Sequence, residues 1–228
     1  MIELEKIYGI SISNSDLFRT ALTHPSYTQE NSLPYTQNYE RLEFLGDAVL
    51  KLLTSEILFK KYPNYTEGNL SKIRSIVVSD NILSKIAHEI GLCNLIILAK
   101  HESKQGLADI ESVCACTFEA VLGAYYIDGK VNEIKIFLEK ILMPFIEEID
   151  NNFEKYNAKA ILQEYTQSVN KKTPIYKLVE ETGPAHNKLF TVEVSFQDNA
   201  IAQGSGKSKK EAEQHAAYIA CKSLGVIQ

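Results

Sequence analysis

The sequence predicts two domains, an all-α domain followed by a small α+β domain of α-β-β-β-α order. Apolar residues recur at helical spacing through the first 150 residues, whereas the alternation typical of strands begins after about residue 157. The charge balance changes at the same place. Residues 1–156 carry 15 basic and 22 acidic side chains, while residues 157–228 carry 9 and 7. We therefore predict domains over 1–150 and 157–228, joined by a polar linker over 151–156.

Capping residues and apolar spacing predict the helices of the first domain. Ser15 is placed to cap a helix that Pro25 ends, and one apolar stripe indicates a helix over 40–60. Thr66 and Ser79 each precede a further apolar pattern of helical period. The stripe over 40–60 comprises Leu42, Leu45, Val49, Leu52 and Leu53, and the last two predicted helices cover 113–127, rich in small residues, and 131–149.

The second domain begins with a helical pattern and continues with alternating ones. Phe190, Val192, Val194 and Phe196 fall on one face of the middle predicted strand. Ser208 is placed to open the final helix. The predicted elements are a helix over 158–169, strands over 175–180, 188–196 and 200–203, a glycine loop over 204–206 and a helix that ends at Leu224.

Composition excludes several classes of protein. The net charge of −5 and the pI near 5.6 argue against a uniformly basic nucleic-acid binder, although the second domain alone has a charge of +2. No apolar run approaches the roughly 18 residues of a membrane span, and the first residues lack a secretory signal pattern. Four cysteines are too few and too scattered for a disulfide scaffold. We therefore expect a cytoplasmic protein that does not enter a membrane.

Three carboxylates share one face of the helix predicted over 40–60. Glu40, Glu43 and Asp47 fall within an arc of about 60° on a helical projection. Like charges at this spacing repel each other, and a divalent cation such as Mg²⁺ would compensate them. A solvated acidic helix face is the alternative interpretation, but the segment is otherwise apolar and rich in small residues.

Two further acidic residues are candidates for the same site. Glu119 lies in an apolar helix between Phe118 and Ala120, where a charge is costly to bury without a partner. A cation shared with the carboxylates of the earlier helix would provide one. Glu67 follows Thr66, and it is equally well explained as an acidic residue in the first turn of a helix, where the helix dipole favours it.

One run of residues resembles the signature of ribonuclease III, namely ERLEFLGDAVL at positions 40–50. Further segments agree with that family in order and spacing. They are ALTHPSY at 21–27, EGNLS at 67–71, TFEA at 117–120 with Gly123 and Ala124, and YID at 126–128. The region after residue 157 resembles a double-stranded RNA-binding domain, so the resemblance covers almost the whole chain.

The resemblance implies a fold, a reaction and residue roles. Glu43, Asp47 and Glu119 match the family's positions for catalytic Mg²⁺, for which Mn²⁺ can substitute, and for its acid chemistry. Glu40 and Glu67 match acidic positions that line the same valley and assist at the subunit interface. The family's helical nuclease domain is a homodimer. Each of its acid clusters cuts one strand of duplex RNA, leaving 5′-phosphates and short 3′ overhangs during processing of ribosomal, messenger and other structured RNA.

Cys116 departs from the family pattern, which has Asp three residues before the Glu of the TFEA segment. Positions 116 and 119 are one helical turn apart, so both side chains point toward the same site. A thiol is a poorer Mg²⁺ ligand than a carboxylate, which predicts weakened or Mn²⁺-favoured cleavage. The neighbouring Cys114 makes a Cys-x-Cys pair with it, which we expect to be two small buried thiols, with a soft-metal site as the alternative. The alternative function is a protein of the same fold that binds double-stranded RNA and has lost cleavage.

A third interpretation is a metal phosphohydrolase acting on small nucleotides. The second domain argues against it, because a small substrate does not require a domain that binds duplex RNA. That domain ends in GSGKSKKEAE at 204–213, which resembles the closing motif of the RNA-binding family, and GPAH at 183–186 resembles its first loop. Lysines at a helix start are often only a solvated end, but here they favour phosphate binding. The resemblance implies that Gln163, Glu164 and His186 contact RNA minor grooves, and that Lys207, Lys209 and Lys210 contact the phosphates between them.

Overall fold

The computed structural model describes residues 1–103, 110–184, 188–197 and 199–227. The chain divides into two compact units, Met1–Glu148 and Ile149–Gln228. Within the described ranges, no helix is long and apolar enough to cross a lipid bilayer. The elements are α1 (Ile2–Tyr8), α2 (Ser15–Ala21), α3 (Pro25–Glu30), α4 (Glu40–Lys61), α5 (Glu67–Val77), α6 (Asp80–Glu89), α7 (Lys100–Ser103), α8 (Glu111–Ile127), α9 (Val131–Asn151), α10 (Phe153–Asn170), β1 (Ile175–Thr182), β2 (Leu189–Phe196), β3 (Asn199–Gly206) and α11 (Lys209–Ser223), with short 3-10 turns over Tyr35–Gln37 and Leu92–Leu95.

The first unit is helical, as the sequence predicts. Helix α8 is buried on almost every side, and its Phe118, Leu122 and Tyr125 are among the largest fully buried side chains. Tyr125 packs edge-on against Phe18 of α2, with ring centroids 4.5 Å apart. The first unit is therefore built around α8, against which α2, α4 and α6 pack.

Local signals place most of these helices correctly, and three details differ. Asn14, not Ser15, caps α2, because its side chain accepts a hydrogen bond from the Leu17 N–H at 3.3 Å. Pro25 begins α3 instead of ending a helix, since proline at the first helical position sacrifices no hydrogen bond. Leu52 is exposed and lies outside the buried stripe of α4.

The second unit is a three-stranded antiparallel sheet in the order β1-β2-β3, with α10 and α11 packed together over it. Helix α10 begins at Phe153, before the start predicted from the apolar pattern, so 151–156 contains the end of one helix and the beginning of the next. The predicted glycine loop over 204–206 is the end of β3. A Cβ at Gly204 would overlap the backbone of Ala216, so glycine lets α11 approach the strand. The core comprises Ala158, Leu162, Val194, Ala216, Ala217, Ala220 and Cys221.

The cysteines pair differently from the expectation. Cys114 forms a disulfide with Cys93, and their Cα atoms are 5.7 Å apart. Cys116 is only partly buried, so Cys114 and Cys116 are not two equivalent buried thiols. The pairing joins residues 21 positions apart, and the spacing of the cysteines in the sequence gives no sign of it.

Candidate functional site

Two glycines bring α4 and α8 into backbone contact. A Cβ built on Gly46 would overlap the carbonyl of Glu119, and one built on Gly123 would overlap the carbonyl of Leu42. Each helix therefore has a residue without a side chain where the other crosses it. This close approach places the acidic face of α4 beside the middle of α8.

The crossing gathers three of the predicted acidic residues. Glu43 and Asp47 come from α4 and Glu119 comes from α8, and all three are partly buried. Asp47 also accepts a hydrogen bond from the Lys51 ammonium at 2.7 Å, one turn along the same helix. We refer to Glu43, Asp47 and Glu119, together with Cys116, as the acid cluster.

The surroundings of Glu119 in the acid cluster favour its protonated form. Burial, followed by the negative charges of Asp47 and Glu43, raises the pKa of the Glu119 carboxyl to about 8. Both causes disfavour the ionised form. A bound cation would reverse this effect, since it compensates the charges that oppose ionisation.

Cys116 is the member of the acid cluster without a carboxylate. Burial, a hydrogen bond to Glu43 and the charge of that carboxylate raise the pKa of the Cys116 thiol well above its usual value. The residue is therefore a neutral thiol that donates to a carboxylate. An aspartate here would instead add an anionic oxygen ligand.

Asp80 lies near the acid cluster, and its position was not predicted from the sequence. It is the first residue of α6, and its negative charge acts on both Cys116 and Glu119. In the sequence it reads as an acidic residue in the first turn of a helix capped by Ser79. Only the packing of α6 against α8 shows that its carboxylate is near the acid cluster.

Glu40 and Glu67 lie at helix starts, and neither is among the groups whose charge shifts the pKa of Glu119. Glu40 is exposed at the start of α4, where its N–H donates to the Asn38 side chain at 3.1 Å. Glu67 begins α5 and accepts a hydrogen bond from the Ser71 hydroxyl at 2.6 Å. Its surroundings form a groove of about 610 Å³ between α4 and α5, lined by Leu52, Ser55, Glu56, Leu58, Phe59, Tyr65, Glu67, Leu70, Ser71 and Arg74.

Helix α4 exposes large apolar side chains, of which Leu52 and Phe59 line this groove. Phe44 is 82% exposed, Phe59 is 71% exposed and Leu52 is 66% exposed. We refer to these three exposed side chains as the apolar row of α4. Large apolar side chains exposed on one helix are typical of an interaction site.

In the second unit, the predicted lysines surround the start of α11. Lys207, Lys209 and Lys210 are all exposed. The Ser208 hydroxyl caps the helix by accepting from the Glu211 N–H at 3.2 Å. The Lys207 N–H donates to the Glu211 carboxylate at 2.8 Å, which fixes the turn before the helix. The lysine ammonium groups thus lie at the positive end of the helix dipole.

The other predicted RNA-contacting residues lie on α10 or outside the described residues. Gln163 and Glu164 are exposed on α10. His186 falls outside the described residues. The second unit therefore presents a basic helix start and an exposed polar stretch of a second helix.

The donors of the acid cluster fit a hard divalent cation. The carboxylates of Glu43 and Asp47 act on Glu119 through their negative charge, and a hard cation bound beside them would compensate that charge. The Lys51 ammonium acts on Asp47 and only weakly opposes the shift at Glu119. Cys116 is the one member of the cluster that a hard cation does not favour.

Both units match known families. Residues 14–146 match the Ribonuclease-III-like family, and residues 158–224 match the double-stranded RNA binding motif. Ribonuclease 3 of Staphylococcus aureus (strain NCTC 8325 / PS 47) is 42% identical over 220 residues, which cover 96% of this chain and 90% of that protein.

Solved structures agree with the assignment of the first unit. Two structures of the nuclease domain of ribonuclease III from Campylobacter jejuni match this chain with a TM-score of 0.56 and 32% sequence identity. They cover 61% and 62% of this chain, and 94% and 92% of their own. One of them concerns structural flexibility in a region involved in dimer formation.

Proposed function

The chain belongs to the ribonuclease III family of endoribonucleases and carries a double-stranded RNA-binding motif, and on that premise we propose that it cleaves duplex RNA with a divalent cation. We expect ribosomal RNA and other structured RNA, including messenger RNA, as substrates in the cytoplasm. The products are 5′-phosphate ends with short 3′ overhangs.

The observation that carries the metal dependence is the backbone contact of α4 and α8 at Gly46 and Gly123, which brings Glu43 and Asp47 near Glu119. These three acidic residues would hold Mg²⁺, or Mn²⁺ in its place. When bound, the cation activates a water, orients the scissile phosphate and neutralises the leaving oxygen. Lys51 orients the Asp47 carboxylate through their 2.7 Å contact.

Cys116 tunes this site in the proposal. Its thiol replaces an oxygen ligand and occupies Glu43 with a hydrogen bond, so Glu43 is less available to a cation. Mn²⁺ is less selective for oxygen donors than Mg²⁺ and is expected to support faster cleavage. If the thiol removes turnover altogether, the chain is instead a double-stranded RNA-binding protein of the same fold.

The second unit supplies RNA affinity. Lys207, Lys209 and Lys210 would contact phosphates, while Gln163 and Glu164 would reach a minor groove from α10, with His186 in the next one. Phosphate contacts make such binding salt-dependent and largely independent of base sequence.

We propose that the chain forms a homodimer, and the exposed apolar row of α4 supports this proposal. Phe44, Leu52 and Phe59 are exposed on α4, and the last two line a groove that also contains Glu67. A second copy covering this face would bury the row and bring Glu67, together with Glu40, to the edge of a shared RNA-binding valley. The Campylobacter jejuni nuclease domain, for which a dimer-forming region is described, supports this arrangement.

A hairpin assay tests the catalytic proposal. Purified protein is incubated with a labelled RNA hairpin in Mg²⁺ and, separately, in Mn²⁺. Cleavage in either ion supports the enzyme, whereas binding without cleavage in both ions establishes the binding-only alternative. Cys116→Asp should raise the Mg²⁺-supported rate by about tenfold or more. Ser112→Asp, which adds the same charge to an exposed position of α8, is the matched control and should leave the rate unchanged.

Analytical ultracentrifugation tests the dimer. Phe44→Ala should weaken self-association by at least about tenfold, because an exposed aromatic side chain that is buried in an interface contributes strongly to binding. Ile136→Ala removes an apolar side chain that is 69% exposed on α9 and should leave the association unchanged. Equal sedimentation of both variants and the parent would argue against the α4 face as the interface.

A further inference from the structure

A second group of ligand-forming side chains lies outside the acid cluster. His88 comes from the end of α6, Cys93 from the 3-10 turn that follows it, and Cys114 from the first turn of α8. The His88 Nε2 atom is 3.5 Å from the Cys114 Sγ atom. One donor atom from each of the three residues lies within 4.8 Å of the others. We refer to these residues as the thiol cluster.

Backbone geometry brings the two local members of the thiol cluster together. Gly91 adopts a left-handed conformation, with φ of 78°, between the end of α6 and the 3-10 turn. This conformation reverses the chain, so His88 and Cys93 face the same point despite the four residues between them. Cys114 then approaches from α8, which packs against α6. Three protein ligands leave a fourth tetrahedral position open to water, an arrangement that zinc adopts in proteins.

The chemistry of the thiol cluster differs from that of the acid cluster. Two thiolates and an imidazole suit a borderline-soft ion such as Zn²⁺ and are poor ligands for Mg²⁺. Both cysteine side chains are buried, whereas His88 is exposed, which gives an ion a route from solvent. Two buried thiolates need a compensating cation, and a zinc ion provides it.

We propose that His88, Cys93 and Cys114 bind one zinc ion in the reduced protein, with a water as fourth ligand. The Cys93–Cys114 disulfide is the oxidised form of the same site. When it forms, each thiolate gives up one electron, an S–S bond is made and zinc leaves. A disulfide of a small thiol accepts the two electrons and two protons and becomes two thiols.

Zinc binding would connect the start of α8 to the end of α6. The same two helices carry Glu119 and Asp80, and the charge of Asp80 acts on Glu119. The binding itself does not depend on the proposed cleavage reaction. A spectroscopic test of the thiol cluster therefore remains decisive whether or not the chain cleaves RNA.

Cobalt titration of the full chain tests the proposal. Protein reduced with a phosphine and freed of metal under anaerobic conditions is titrated with Co²⁺, a spectroscopic substitute for zinc. One equivalent should produce a sulfur-to-cobalt charge-transfer band and intense tetrahedral d–d bands, and Zn²⁺ should abolish both. His88→Asn, a substitution at an exposed position, should weaken Co²⁺ binding by at least about tenfold, and Cys93→Ser should reduce the charge-transfer band.

Two cysteine variants serve as controls. Cys116→Ser removes the thiol of the acid cluster, and Cys221→Ser removes a buried thiol of the second unit. Both should retain the cobalt spectrum. Circular dichroism establishes that each variant is folded, and His88→Asn decides the matter if Cys93→Ser does not fold.

Four results would overturn the zinc site. They are the absence of a charge-transfer band at one equivalent, a spectrum unchanged by His88→Asn, a spectrum lost in Cys116→Ser, and a count of only two free thiols in the unfolded chain after treatment with a small-thiol reductant. The last result would identify a permanent disulfide.

Discussion

The acid cluster of the first unit and the lysines of the second unit are built in opposite ways. Glu43 and Glu119 meet only because α4 and α8 touch at Gly46 and Gly123, and burial changes the protonation of Glu119. The lysines are neighbours in sequence, exposed, and grouped at one helix start. A site made by tertiary contact should respond to packing and pH, whereas a site of local exposed charge should respond to salt.

The largest expected effect is on cleavage. Glu119→Gln keeps the size of the side chain but removes the carboxylate, so the cleavage rate should fall by at least about a hundredfold. The affinity for duplex RNA should change by less than about twofold, since the lysines are untouched. Glu133→Gln, at an exposed position of α9, is the control. Filter binding and single-turnover cleavage separate the two quantities, and equal rates for both variants would remove Glu119 from the site.

The next effect tests whether the acid cluster depends on the helix crossing. Gly46→Ala places a methyl group against the Glu119 carbonyl and should cost about 1–3 kcal/mol of unfolding free energy, together with much of the cleavage. Gly68→Ala is the control, because its Cβ would meet only the Thr66 side chain at 3.8 Å. Urea denaturation measures both variants. A Gly46→Ala protein as stable as the Gly68→Ala protein would contradict the close crossing.

A smaller effect concerns RNA affinity. Replacing Lys209 and Lys210 together with Ala should weaken duplex binding by about tenfold and reduce the salt slope by about one per lysine. Replacing Lys171 and Lys172 with Ala provides a charge-matched control, because both are exposed and directly follow the C-terminal end of α10. If both double variants lose the same affinity, the helix start has no special role and the second unit binds through overall charge.

The smallest effect is a pH dependence of stability in the metal-free protein. The pKa of Glu119 is raised from 4.5 to about 8 on folding, so the folded state binds a proton that the unfolded state has released. Its contribution to stability is therefore full below about pH 4.5 and is lost as the pH rises through about 8. Because the side chain is only partly buried, the slope should be below about 1 kcal/mol per pH unit.

Denaturation midpoints in a chelator measure this slope. The parent should lose stability between about pH 5 and about pH 8, while Glu119→Gln should lose less over the same range. Saturating Mg²⁺ should flatten the parent's curve, since the cation replaces the proton. Parallel curves for parent and variant would show that Glu119 titrates normally.

Local signals were sufficient to predict most elements of both units. Thr66, which precedes a predicted helix, caps α5 by accepting from the Asn69 N–H, and Ser208 caps α11. Neighbouring polar residues limit such predictions: Asn14 and Ser15 are both good caps, and only the backbone turn decides between them. The strand over 199–206 continues through its glycines because they permit close packing of α11, which no local rule indicates.

The candidate site was predicted in part for similar reasons. Glu43 and Asp47 share a helix face, so their proximity follows from spacing alone. Asp80 and the Cys93–Cys114 pair depend on how α6 packs against α8, and the sequence of either helix carries no mark of that contact. The apolar stripe that includes Leu52 predicted the helix correctly, but Leu52 is exposed, because helical spacing alone does not show which apolar side chains are buried.

The backbone contact at Gly46 and Gly123 separates the spacing of the acid cluster from its chemistry. The distance between the two helices is set by main-chain atoms, so it is independent of which side chains extend from the crossing. A ligand position such as residue 116 can therefore change from oxygen to sulfur while the carboxylates of α4 stay in place. Such a framework lets a single substitution at the crossing change the donor atoms without moving the surrounding helices.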